Sequence, residues 1–122
     1  MSLILIIDDD ADIRRLLKGA LEKSQHEILE AADGNEGMRR WRDGHPDLVI
    51  TDLVMPGKDG MHTLFEMVSL DPRVKVIAMT GGNWREAVDR LHDARLSGAV
   101  RTVAKPFTLS EMLRVVGEVL AR

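Results

Sequence analysis

Five side chains stand where apolar runs stop: Asp8 and Asp9 after residues 3–7, Asp52 after 48–51, Thr80 after 75–79 and Lys105 after 99–104. Three carboxylates gathered in one place repel one another unless some are protonated or a cation neutralises them. Hard oxygen donors with a lysine nearby suit Mg²⁺, which keeps several waters and needs few protein ligands. If the adjacent Asp8 and Asp9 share such an ion, Asp52 is left as a nucleophile. Phosphoryl transfer requires a nucleophile together with positive charge for the oxygens of the transferring group. Lys105 would pair with Asp52 at rest and with a phosphoryl oxygen afterwards, and Thr80 would offer its hydroxyl to another of those oxygens.

The elements that must position these groups alternate along the chain. Short β-rich runs at residues 3–7, 27–31, 48–51, 75–79 and 99–104 are separated by segments of helical period, the signature of a parallel sheet with helical crossovers. The first, third and fourth runs are almost wholly apolar, as strands covered on both faces must be, whereas the second and fifth read as edge or near-edge strands. In the first helix Ile13, Leu16, Leu17, Ala20 and Leu21 recur at three and four residues, with Asp10 or Asp12 placed to cap its start. Further helices are expected at 35–42, 61–70 and 84–96, the last closed by Gly98. A fifth opens on a capping box of Thr108 and Glu111 and turns Leu109, Met112, Leu113, Val116 and Leu120 inward. Five such units leave chiefly the open doubly wound sheets, whose ligands bind beyond the carboxyl ends of the strands.

The motifs Ile7-Asp8-Asp9-Asp10, Asp52 followed by Met55-Pro56-Gly57 and Asp59-Gly60, Met79-Thr80-Gly81, and Lys105-Pro106-Phe107 together resemble the bacterial response-regulator receiver domains, over nearly the whole chain. The resemblance implies a flavodoxin-like doubly wound α/β fold, a five-stranded parallel sheet in the order 2-1-3-4-5 with five helices. It also implies that Asp52 accepts a phosphoryl group from a histidine kinase or phosphotransfer protein, and that Asp8, Asp9, Asp52 and the main-chain carbonyl of Val54 bind Mg²⁺. Thr80 and Lys105 would complete the site, and the Lys105–Pro106 peptide would be cis. Two departures stand out. Thr102 occupies a position where the family usually carries an inward-swinging aromatic residue, and the Gly81-Gly82-Asn83 stretch begins a longer loop and helix, with Trp84 as an apolar contact. The resemblance also implies that Val54 and Gly82, two residues beyond Asp52 and Thr80, flank the path of a hydrolysing water; neither side chain offers it a hydrogen bond, which predicts slow self-dephosphorylation.

Composition bounds the alternatives. The 122 residues suit one receiver domain, 1–122. Seventeen basic and twenty acidic residues are scattered, with a net charge of -3, which argues against a nucleic-acid surface. The absence of cysteine excludes disulfides and thiolate metal sites and suits the cytoplasm. No apolar run is long enough to span a membrane. The expected partners are a kinase and a downstream protein target or linked output domain, and the expected role is a switch rather than a turnover enzyme. The rival reading is an Mg²⁺-dependent aspartyl-phosphate phosphatase of haloacid dehalogenase type, since Asp8-x-Asp10 resembles the first motif of that group. The four histidines read as solvated, and Arg14-Arg15 as a solvent face near enough to the acids to attract a phosphorylated partner.

Overall fold

The computed structural model of the chain describes residues 1–55, 60–81 and 84–122. In chain order the elements are β1 (Leu3–Ile7), α1 (Ala11–Lys23), β2 (Glu27–Ala31), α2 (Gly34–Gly44), β3 (Leu48–Asp52), α3 (Gly60–Leu70), β4 (Val76–Thr80), α4 (Trp84–Leu96), β5 (Arg101–Ala104) and α5 (Leu109–Leu120). All neighbouring strands pair in parallel in the order β2-β1-β3-β4-β5, so the second and fifth strands are the edges, as their mixed sequences predict.

Alternation along each strand divides the core in two. Ile4, Ile6, Leu48, Ile50, Ile77, Met79 and Val103 face Leu17 and Leu21 of α1 and Met112, Val115, Val116 and Val119 of α5. Leu5, Ile7, Val49, Val76 and Ala78 face Met38 of α2, Leu64 and Met67 of α3 and Ala94 of α4. Helices cover both faces, so β1, β3 and β4 are buried from end to end apart from the half-covered Leu3.

Helix ends follow their local chemistry. Asp10, not Asp12, caps α1, accepting from the Asp12 N–H at 2.9 Å. Thr108 accepts from the Glu111 N–H at 3.0 Å, the threonine half of the expected capping box. Gly98 ends α4 at a φ of 113°, with its own N–H on the Arg95 carbonyl and that of Ala99 on the Ala94 carbonyl, the paired bonds of a Schellman motif.

Several expectations shift. α2 runs two residues beyond 42 and is stopped at His45, which takes the left-handed conformation at a φ of 49°. The fifth strand starts at Arg101 instead of residue 99, because Ala99 is spent on closing α4. Leu16, although it belongs to the apolar spacing of the first helix, is 50% exposed, since the buried stripe of α1 runs through Leu17 and Leu21 and leaves Leu16 on the rim of the groove beside α5.

Candidate functional site

Sheet register brings the polar strand ends together. Ile7 pairs with Thr51, so Asp8 and Asp52 leave adjacent strands side by side. Thr80 pairs with Ala104, and the Lys105 N–H continues that ladder onto the Thr80 carbonyl at 2.7 Å. Strand order reverses between β1 and β3, the crevice where doubly wound sheets hold ligands.

Asp8 is fully buried and held from several directions. Its N–H extends the β1–β2 ladder to the Ala31 carbonyl, and one carboxylate oxygen accepts from the Asp10 N–H at 2.9 Å. The other accepts from the Lys105 ammonium at 2.8 Å. Asp52 is buried at the end of β3, its carbonyl accepting from the Thr51 hydroxyl at 2.9 Å and its carboxylate from the Val54 N–H. The chain returns hard against this point: the Gly60 N–H bonds the Leu53 carbonyl, and a Cβ on Gly60 would fall on the Asp52 carbonyl oxygen. Only glycine fits there.

The exposed Asp9 completes the acidic group. One oxygen from each of Asp8, Asp9 and Asp52 lies within 4.8 Å of the others, a set of hard donors that fits a divalent cation such as Mg²⁺. Lys105 spans two of the three, 2.8 Å from Asp8 and 3.3 Å from Asp52. The resting pairing predicted with Asp52 is therefore shared, and Asp8 takes the shorter contact. Burial pushes the Asp52 carboxyl above the usual carboxylate range; the Lys105 charge opposes this and the Asp8 charge adds to it. Lys105 is also raised: burial works against its charge, but the hydrogen bond to Asp8 and the charges of both carboxylates outweigh it. The two shifts agree physically, because one ammonium divided between two acids gains more than the acid at the longer distance.

Thr80 is buried at the end of β4, and its hydroxyl donates at 3.4 Å to the Gly81 carbonyl, a weak bond to a neighbour. Val54 is half-exposed, and its main chain reaches the site through the N–H on Asp52. The Lys105–Pro106 peptide is cis. Thr102 is half-buried on β5, level with Ala78. Pro56, Gly57, Asp59, Gly82, Asn83 and the Trp84 side chain lie outside the described residues.

Residues 4–117 match the response regulator receiver domain family. The chain belongs to that family. This receiver domain is 33% identical over 117 residues to sporulation initiation phosphotransferase F of Bacillus subtilis, covering 96% of the chain and 92% of that protein. It is 37% identical over 117 residues to regulatory protein AtoC of Escherichia coli, covering 96% of the chain but only 25% of that protein. A solved response regulator receiver domain protein from Clostridium thermocellum matches with a TM-score of 0.92 at 31% identity, over 100% of this chain and 96% of that one. The receiver thus spans nearly all of some relatives and a quarter of others.

Receiver domains are switches of two-component signalling rather than turnover enzymes; they bind Mg²⁺ at an acidic pocket and work with histidine kinases and output domains. The haloacid dehalogenase reading falls: the whole-chain match is to receivers, and Asp10, which that reading needs beside Asp8, gives its carboxylate to the α1 cap. No helix among the described residues is long and apolar enough to cross a membrane.

One residue of the site escaped the sequence reading. Arg14, expected on a solvent face, folds back to donate to the Asp8 main-chain carbonyl at 2.6 Å and to Glu30 at 3.3 Å. The signal for it was the acidic Glu30 between the apolar Leu29 and Ala31 of the second strand, with Arg14 and Lys18 one turn apart on the helix before it.

Proposed function

We propose that Asp52 accepts a phosphoryl group from a phosphohistidine of a kinase or phosphotransfer protein, with Asp8, Asp9, Asp52 and the Val54 carbonyl holding Mg²⁺, and that residues 1–122 act as one receiver unit in the cytoplasm. The observation that carries the reading is the convergence of three carboxylates and one lysine at the strand-order reversal, with Asp52 held by a turn that only Gly60 allows. Bound Mg²⁺ supplies positive charge to the oxygens of the transferring group.

The chain's own residues divide the work. An Asp52 carboxylate oxygen forms a bond to phosphorus as the P–N bond to the donor imidazole breaks, and the electron pair of that bond stays on the imidazole nitrogen. Lys105 exchanges its longer contact, to Asp52, for a phosphoryl oxygen while keeping the shorter one to Asp8. The Thr80 hydroxyl, which gives up only a weak bond to Gly81, turns to another phosphoryl oxygen. That turn and the altered charge at the ends of β3, β4 and β5 would change the surface read by a protein target or a linked output domain, without nucleic-acid contact by this unit. Thr102, with no ring to swing inward, would leave this readout to the segment after β4.

The test is incubation with acetyl phosphate. One phosphoryl group per chain is expected with Mg²⁺, none with chelator, and none in Asp52→Asn. Labelling that survives chelation would sink the metal part of the reading, and labelling that survives the substitution would sink the assignment of Asp52.

A further inference from the structure

Arg14 is the one cation of α1 that is largely covered, 18% exposed, and it is wedged between two strands. Nη1 donates to the Asp8 carbonyl of β1's end, and Nε donates to Glu30 Oε1 on β2. Glu30 is itself braced, its second oxygen 3.6 Å from Lys18 Nζ. With the Ala31, Asp10 and Lys105 contacts already described, Arg14 supplies the partner for the remaining polar atom of Asp8, its main-chain oxygen. That oxygen belongs to the planar Asp8–Asp9 peptide, so holding it fixes the direction in which Asp9 leaves the strand. Asp9 is exposed and stands outside the β1–β2 ladder, so its direction is set by the two peptides that flank it, this one and the Asp9–Asp10 peptide, whose N–H is held by the Asp8 carboxylate.

We propose that Arg14, braced by Glu30, is a positioning residue for the divalent-cation pocket, fixing the Asp8–Asp9 peptide so that the Asp9 carboxylate stays within reach of those of Asp8 and Asp52. The inference rests on the Mg²⁺ site proposed above. Its sign separates it from a plain charge effect. As a nearby cation, Arg14 repels a divalent ion, and removing it would tighten binding. As a support for a ligand, its removal loosens binding, and outer partners of metal ligands carry about tenfold to a hundredfold in affinity.

The experiment is calorimetric titration of Mg²⁺ into the whole chain, its Arg14→Met and Asp9→Asn variants, and the double variant, each checked for folding by circular dichroism. Wild type should bind, Arg14→Met should bind about tenfold more weakly, and in the Asp9→Asn background the second substitution should cost nothing further, because Arg14 acts through Asp9. Unchanged or tighter binding by Arg14→Met overturns the proposal, as does a full additional loss in the double variant. Failure of the wild type to bind Mg²⁺ removes the site reading itself, an outcome distinct from both. Should Arg14→Met not fold, Arg14→Lys keeps the charge but cannot reach both partners; about threefold or greater weakening is expected, and wild-type affinity overturns the proposal.

Discussion

Lys105 lies closer to Asp8 than to Asp52, 2.8 Å against 3.3 Å, so the acid proposed to react holds the longer contact. A lysine anchored on the buried Asp8 can change its second partner without losing its first. The same division leaves Asp52 as the less compensated of the two acids, in keeping with the upward displacement of its carboxyl.

Replacing Lys105 with Met would leave two buried carboxylates without their shared cation. Such a broken pair costs about 3 kcal/mol, so urea denaturation of metal-free Lys105→Met at neutral pH should show a loss of that order. The Lys105 contribution is present at and below the ordinary lysine range and fades only as pH rises through its raised value. Acidification that protonates Asp52 should shrink the difference between variant and wild type. Mg²⁺ should bind the variant more tightly, since a competing cation is gone. A neutral-pH stability equal to wild type would contradict the shared pairing.

Asp52→Asn tests the other partner. Because the folded carboxyl is raised above its unfolded value, the folded state holds its proton more firmly, and ionisation of Asp52 costs stability as pH rises through the raised value. Metal-free Asp52→Asn should therefore melt higher than wild type at neutral pH, and the gain should vanish below the ordinary carboxylate range, where both chains are neutral at this position. Adding Mg²⁺ should raise the wild-type Tm and narrow the gap. A variant that melts lower at neutral pH would show that Asp52 is net stabilised by its surroundings.

Two glycines carry backbone demands of different kinds. In Gly60→Ala the new Cβ meets the carbonyl of Asp52 itself, so the β3–α3 connection must shift; a cost of about 1–3 kcal/mol is expected, as for other forced overpacking. Phosphoryl acceptance should fall with it. In Gly98→Ala a side chain is forced to a φ of 113° against Val68, just past the C-terminal end of α4, whereas Thr80 of the site precedes the start of that helix. A similar destabilisation is expected there, with labelling of Asp52 kept at temperatures where the chain is folded. Equal effects on labelling would mean that Gly60 does not shape the site.

How long a phosphoryl group would stay on Asp52 depends on what can orient water beside it. Val54 is half-exposed and apolar, so Val54→Asn should speed loss of the label by about tenfold or more, short of full general-base assistance. An unchanged half-life would show that the water approaches elsewhere.

Much of this site was legible in the sequence because its acids and lysine stand where buried strands stop, and a parallel sheet aligns such stops at one edge. Asp8, Asp52 and Lys105 meet for that reason. Boundaries slipped where a backbone group serves two elements: Ala99 reads as the start of a strand, yet its N–H closes α4. Leu16 fits the apolar spacing of α1 but falls on the rim, because the width of a helix's covered face is set by its neighbours. Arg14 was missed because its partners, the Asp8 carbonyl and Glu30, come from two strands whose pairing no local pattern reveals. The division of Lys105 between two acids belongs to the same class, a distance of tenths of an ångström that spacing cannot supply.

The most direct test of the central claim is to locate the phosphoryl group. After acetyl phosphate and Mg²⁺, borohydride reduction converts an aspartyl phosphate to homoserine, which peptide mass spectrometry assigns to a position. The account predicts homoserine at position 52 and nowhere else. Homoserine at Asp8 or Asp9, or a label that resists reduction because it sits on another residue type, would contradict it.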